Sequence, residues 1–249
     1  MDLGTNNKKK PKVIVIMPAY NAAKTLEKTY RDIPKTVADE IILVDDASAD
    51  KTVKIAKKLN IKVFLHPANL GYGGNQKTCY WEALKRKPDI VVMIHPDYQY
   101  DATLLKELIY HITKERFDIM LGSRIRSRQE ALQGGMPWWK YYGNRFLTML
   151  ENIILGLNLS EYHTGFRAFT SQSLMKIPFM RMSSDFVFDQ QVLISAAVNN
   201  FKIGEIPVPV RYFPEASSAN FIKSVKYGLE IIISLLLYIL DKNNKIFKK

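Results

Sequence analysis

The chain has 249 residues, 47% apolar and 24% charged, which suits one large α/β domain with a core able to fold alone and excludes gross disorder. Its one cysteine, Cys79, excludes an internal disulfide and a cysteine-built zinc site, and a reducing compartment is the simplest setting. The formal charge of +12 gathers at the ends, with four lysines against Asp2 in residues 1–12 and six lysines against Glu230 and Asp241 in residues 222–249, a pattern that suits anionic lipid or nucleic acid, or simply a pair of solvated tails.

The N-terminus is polar and basic without an apolar h-region, so no secretory signal is expected. Residues 13–17 form a β-branched run that ends at Pro18, and residues 24–32 read as a helix. The pattern repeats with strands at 40–44, 62–65, 90–94 and 118–121 and helices at 52–59, 76–85 and 104–114. Near-continuous apolar strands alternating with helices imply a mainly parallel sheet covered on both faces. Ligands bind such sheets at the carboxyl ends of the strands. The polar clusters 18–21, 45–50, 66–75 and 95–101 all fall at those ends, which points to one shared site. Residues 123–137 are polar and Gly-containing and read as a mobile loop. Residues 138–155 form an aromatic helix, followed by a turn at Thr164 and Gly165, two helical stretches and a Pro-punctuated strand near 206–212.

The first strand is followed by Pro18-Ala19-Tyr20-Asn21 instead of G-x-G-x-x-G, and no Walker A motif occurs. These absences argue against a nicotinamide or flavin enzyme and against a P-loop ATPase. Asp45 and Asp46 close the second strand, where ionised carboxylates can accept hydrogen bonds from a nucleobase or ribose. Asp50 reads as the cap of the following helix. In the segment 69–75, NLGYGGN, the glycines Gly71, Gly73 and Gly74 either let a phosphate approach a helix N-terminus or make a plain turn. The fourth strand runs into His95-Pro96-Asp97-Tyr98-Gln99. Asp97 and Gln99, two apart in extended backbone, would point the same way and share a divalent cation, although a lone Asp in a loop is also a common turn residue.

Taken together, MPAYNAAKTLE, EIILVDDASAD, HPANLGYGGNQ, HPDYQYD, the Gly122-Ser123-Arg124 segment and HTGFRAF resemble glycosyltransferase family 2, particularly the polyprenyl-phosphate sugar synthases. The resemblance covers roughly residues 12–215 and implies a GT-A-type α/β fold. It implies that Pro18, Tyr20, Asp45 and Asp46 line the nucleoside pocket, with Gly71 and Asn75 beside it. It also implies that Asp97 and Gln99, with His95, contact a divalent cation (Mg2+ or Mn2+) or the diphosphate, and that Arg124 faces the diphosphate or the acceptor phosphate. Gly165-Phe166-Arg167 matches the family's S-G-F-R turn, and Asp189 matches an acidic residue near the acceptor. Three positions depart from the pattern. His95 replaces the first D-x-D aspartate, and imidazole suits manganese better than magnesium. Glu161 and Thr164 replace the usual Asp and Ser. Residues 214–218, PEASS, replace a basic stretch.

The implied reaction is inverting transfer of a sugar from a nucleoside diphosphate sugar to a polyprenyl phosphate or a saccharide hydroxyl. In the second case Asp189 is the base. The rivals are a sugar nucleotidyltransferase, which would want a Gly-rich basic loop after the first strand, and a non-catalytic basic nucleic-acid or lipid-binding protein. The resemblance favours the enzyme and no nucleic-acid partner. Residues 221–240 form an amphipathic helix, with Lys223, Lys226, Glu230 and Ser234 on one side and a wide apolar face that is too short to span a bilayer. The expected organisation is a basic tail (1–11), a catalytic domain (12–215) and a C-terminal helix with a basic tail (216–249). That helix would hold the enzyme peripherally on the cytoplasmic face of a membrane without joining the catalytic centre. Packing on the core or homo-oligomerisation are the alternatives.

Overall fold

A computed structural model describes the whole chain except residues 1–9, 126, 134, 210, 212–220, 242–244 and 249. The PEASS stretch and part of the basic tails therefore lie outside the described residues. The α/β expectation holds. A seven-stranded sheet runs in the order β3-β2-β1-β4-β6-β5-β7, with β1 Val13–Ala19, β2 Glu40–Asp45, β3 Lys62–Leu65, β4 Ile90–Met93, β5 Ile119–Ser123, β6 Arg167–Thr170 and β7 Ile203–Pro207. All pairings are parallel except those of β6 with β4 and β5.

Every residue of β1 is buried, because the strand is central and successive side chains enter opposite layers. Ile14 and Ile16 join one core with α3 (Tyr72–Leu84), α8 (Phe188–Val198) and α9 (Phe221–Leu240). Val13, Val15 and Met17 join the other with α1 (Leu26–Asp32), α2 (Thr52–Lys58) and α4 (Leu105–Glu115). The chain thus forms three layers. Register sets the site: Ala19 pairs with Asp45 and Ile16 with Met93, so β1, β2 and β4 end side by side.

Several expectations change. Residues 123–137 contain a short helix, α5 (Arg128–Gln133), and not only a loop. It leads into α6 (Trp138–Leu155). β6 arises in what read as a turn, and α7 (Ser171–Lys176) follows it directly. The final strand lies at 203–207 instead of near 206–212. The Asp97–Gln99 segment is not extended, because Tyr98 adopts φ 60° and Gln99 N–H donates to Asp97 Oδ1 at 3.1 Å. That is an Asx-type turn.

The C-terminal helix is two-sided. Ile231, Ser234 and Leu235 are buried, as is Phe247 beyond the helix end, and Ser195 of α8 donates to the Phe247 carbonyl at 2.5 Å. At roughly 1.5–3 kcal/mol per buried apolar side chain, Ile231, Leu235 and Phe247 contribute an amount comparable with a domain's usual total of about 5–15 kcal/mol. Deleting residues 221–249 should therefore abolish the cooperative thermal transition and expose dye-binding apolar surface. A truncated chain with the wild-type melting midpoint would show that the helix is an appendage.

Candidate active site

Three loops converge at the carboxyl ends of β1, β2 and β4. After β1, Tyr20 is 57% exposed, and Asn21 takes a left-handed φ of 51°. This turn is tied to the DDASAD segment. Asn21 N–H donates to Ser48 Oγ at 2.8 Å, and Ala23 N–H to Asp50 Oδ2 at 3.0 Å. Asp50 Oδ1 accepts Thr52 N–H at 2.9 Å, which supports the start of α2 from one residue before its N-cap, Lys51. Asp50 thus serves the following helix, as its sequence position suggests.

The two adjacent aspartates do different work. Asp46 Oδ1 accepts Leu70 N–H at 2.8 Å and stands 2.7 Å from His66 Nδ1, while Oδ2 accepts Gly71 N–H at 3.1 Å. His66 is held in turn 2.9 Å from the Thr78 hydroxyl. The Asp46 carboxylate is therefore saturated inside the protein and clasps the glycine loop. Among the described residues Asp45 accepts only Ser48 N–H, at 2.9 Å through Oδ2, and its buried Oδ1 has no partner. A buried acceptor without a donor is a rare and costly arrangement that a ligand or water relieves.

The glycine loop packs against protein. Gly71 has φ 85°, and a Cβ there would lie 2.7 Å from the Ser184 carbonyl oxygen. The same oxygen accepts Gly73 N–H at 2.9 Å and Gly74 N–H at 3.2 Å. The start of α3 is thus capped by Ser184, which is the turn reading of NLGYGGN and not an open phosphate cradle. Asn75 is buried and donates to the Ala19 carbonyl at 3.2 Å, bracing the end of β1.

Behind β4, His95 stacks on Tyr72 with centroids 5.2 Å apart, and its Nε2 lies 3.0 Å from the Tyr72 hydroxyl. Tyr72 donates its single proton to Asp189 Oδ2 at 2.7 Å, so its oxygen accepts from His95 Nε2–H. That assignment leaves Nδ1 as the lone-pair nitrogen. Asp189 also accepts from Gln76 at 3.1 Å and faces Arg167, fully buried, at 3.5 Å. Burial holds the Asp97 carboxyl above its usual range, and the nearby His95 and Arg124 oppose that. Gln99 is buried, and its carbonyl accepts Arg211 N–H at 2.9 Å.

Arg124 follows β5 and is gripped by Glu161. Its N–H donates to Oε2 at 2.7 Å, its Nε to Oε1 at 2.9 Å, and its Nη2 to Oε1 as well. Asn144 of α6 donates to the same Oε1 at 3.0 Å. Glu161, which stands where the family pattern has Asp, is here the carboxylate that binds Arg124. Gly165 permits the closest approach in the site, since a Cβ there would lie 2.4 Å from His95 Cδ2.

With this geometry in view, residues 14–177 match the family model described as glycosyl transferase family 2. The chain belongs to glycosyl transferase family 2. It is 29% identical over 247 residues to the UDP-N-acetylglucosamine–dolichyl-phosphate N-acetylglucosaminyltransferase of Methanococcus voltae, covering 92% of this chain and 97% of that one. It is 28% identical over 232 residues to an uncharacterized protein of Methanocaldococcus jannaschii, covering 93% and 94%. Among solved structures, glucosyl-3-phosphoglycerate synthase from Mycobacterium tuberculosis, in complex with Mn2+, uridine diphosphate and glucosyl-3-phosphoglycerate, superposes with a TM-score of 0.69 at 18% identity, over 92% of this chain and 80% of that one. The fold is the GT-A glycosyltransferase fold.

Tyr72, Gln76, Glu151, His163, Gln190 and Tyr227 were not singled out from sequence. Tyr72 and Gln76 lie in the HPANLGYGGNQ segment and His163 opens HTGFRAF, but their partnerships with Glu151, Gln190 and Tyr227 arise only through the tertiary fold. The contrast between the aspartates has a direct test. Asp46→Ala should lower unfolding free energy by about 1–3 kcal/mol through the orphaned Leu70 N–H and the lost His66 partner, since Gly71 N–H keeps Asn69 Oδ1 as an acceptor. Asp45→Ala should keep its melting midpoint and lose nucleotide affinity. Denaturant unfolding and nucleotide titration of both variants check this, and the reverse assignment of the two losses would contradict it.

Proposed function

We propose that the enzyme transfers a sugar from a nucleoside diphosphate sugar to a polyprenyl phosphate or closely similar lipid phosphate, with inversion. The observation that carries the donor reading is Asp45 Oδ1, an unpartnered buried acceptor at the strand ends on the same side as Asp97 and Arg124. A nucleoside N–H or ribose O–H satisfies it, with Pro18 and Tyr20 as the adjoining wall. Asp46, Gly71 and Asn75 shape that wall through their internal bonds.

The donor diphosphate would lie toward Asp97 and Arg124, with a divalent cation. The residues fit such an ion: Asp97 offers a carboxylate whose burial penalty a cation offsets, and His95 offers Nδ1, while Gln99 remains a weaker amide candidate because it is buried. Among the described residues no group of three His, Cys, Asp or Glu side chains could hold a metal, so the diphosphate oxygens would complete the shell. Such an ion, when bound, would neutralise charge on the leaving diphosphate. An acceptor phosphate oxygen attacks the anomeric carbon, the bond to the β-phosphate oxygen breaks, and its electron pair leaves with the nucleoside diphosphate.

An anionic acceptor needs no base, and the site suits that. Asp189, the carboxylate that a hydroxyl acceptor would require, is buried and shared among Tyr72, Gln76 and Arg167. The acceptor reading is supported by the name of the Methanococcus voltae relative. It is supported too by an apolar surface on two packed helices, α6 and α9. Trp138, Tyr142, Phe146, Met149 and Ile153 of α6 are exposed at helical spacing. On α9, Leu229, Ile233, Leu236 and Leu240 are exposed in the same way, near the exposed Lys223 and Lys226. Among the described residues no helix is long and apolar enough to cross a membrane, so this surface would lie on the bilayer with its lysines toward anionic headgroups.

A panel of uridine and guanosine diphosphate sugars, with and without Mn2+, should include one that stabilises the protein by about 2.7 kcal/mol at a hundred times its Kd. The same donor should label a polyprenyl phosphate, and Asp97→Ala should abolish the transfer while keeping the fold. Transfer only to saccharide hydroxyls would overturn the acceptor reading. Wild-type turnover by Asp97→Ala would overturn the cation site.

A further inference from the structure

One cluster of buried polar groups lies outside the residues assigned above to donor and cation. Glu151 of α6 is fully buried, and neither carboxylate oxygen has a hydrogen-bond partner among the described residues. Its Oε2 stands 3.5 Å from His163 Nε2, which is likewise unpartnered. On the other side of the ring, Nδ1 lies 3.1 Å from the Tyr227 hydroxyl of α9 and against the side-chain amide of Gln190 of α8. Gln190 Nε2 donates to the Tyr227 oxygen at 3.1 Å. Three helices therefore meet on one imidazole.

Burial accounts for the protonation state. It pushes the Glu151 carboxyl well up and the His163 imidazole down to about 3, so burial favours the uncharged form of both. The Gln190 amide nitrogen can only donate, so Nδ1 carries the ring's lone pair and the ring proton sits on Nε2, facing Glu151 Oε2. Such a cluster avoids the cost of an isolated buried charge.

His163 sits in the loop of residues 160–166, which touches the site twice. Its carbonyl accepts from Arg124 Nη2 at 2.5 Å, beside the grip of Glu161 on the same guanidinium. Two residues on, Gly165 packs on His95. We propose that Glu151, Gln190 and Tyr227 are positioning residues for sugar transfer, holding the His163 ring and through it the loop that fixes Arg124 and His95. This rests on the reading of Arg124 and His95 as diphosphate and cation contacts. It also places α9, whose outer face carries the lipid-facing surface, in mechanical contact with the catalytic loop through Tyr227.

Tyr227→Phe removes one oxygen and leaves the packing. In the free protein, amides of residues 160–166 should then exchange hydrogen at least tenfold faster, and Gln190→Leu should have the same effect. The kcat for sugar transfer should fall about tenfold with donor KM little changed, because Arg124 acts mainly on the developing charge of the leaving diphosphate. In an Arg124→Lys background the Tyr227→Phe loss should largely vanish, since both act through one contact. Faster exchange confined to α9, or unchanged exchange at 160–166 in both variants, would overturn the inference, as would full additivity with Arg124→Lys. If the wild-type protein transferred no sugar at all, the functional reading would fall, while the exchange comparison would still decide whether the cluster holds the loop.

Discussion

The site depends on one buried ion pair. Arg167 is fully buried on β6 and bonds through each of its three nitrogens, with Nε to the Thr164 carbonyl at 2.6 Å, Nη2 to the Tyr162 carbonyl at 3.0 Å and Nη1 to the Asp189 carbonyl at 3.0 Å. Its charge meets the Asp189 carboxylate at 3.5 Å. Asp189 in turn receives Tyr72 and Gln76 from α3. Burying such a pair is worthwhile only when every donor and acceptor is used, and losing one partner leaves an uncompensated charge in the core. Here the pair joins β6, α3, α8 and the 160–166 loop directly behind His95, so the order of the site is linked to the stability of the core.

In the proposed reading, chemistry falls to residues whose bonding capacity this frame does not use up. Of the two aspartates after β2, Asp46 is spent on the glycine loop and Asp45 keeps an open oxygen. Of the carboxylates nearest the strand ends, Asp189 is spent on Arg167 and Tyr72, while Asp97 keeps a carboxylate that burial makes reluctant to ionise alone. Open capacity at Asp45 and Asp97, with the guanidinium of Arg124 nearby, matches a diphosphate flanked by a nucleoside and a cation. It does not supply a free base.

Much of this was legible in the sequence. The apolar runs at 13–17, 40–44 and 90–94 are strands because a central parallel strand is buried on both faces, and the polar residues that end them mark the site. The family 2 motifs identified the chemistry. The antiparallel strand β6 was hidden because its inward side chain at 167 is an arginine, which breaks the apolar pattern, and its partner Asp189 lies 22 residues away. The turn at Asp97–Gln99 depends on a left-handed Tyr98, a conformation for which the sequence has no glycine to signal. The C-terminal helix read as amphipathic, but its apolar residues cover nearly the whole circumference. Only packing decides that Ile231 and Leu235 face the core while Leu229, Ile233 and Leu236 face outward. Tyr227 follows from the same rotation, which turns it inward to His163.

Whether Asp189 anchors the site or acts as a base is the most direct test of this account. Asp189→Asn keeps the shape and removes the charge. The account predicts unfolding free energy reduced by about 3–5 kcal/mol, because Arg167 is left buried and unpaired, together with loss of sugar transfer to every acceptor, lipid phosphate included. An Asp189→Asn protein of wild-type stability that still labels a lipid phosphate and fails only with hydroxyl acceptors would contradict it.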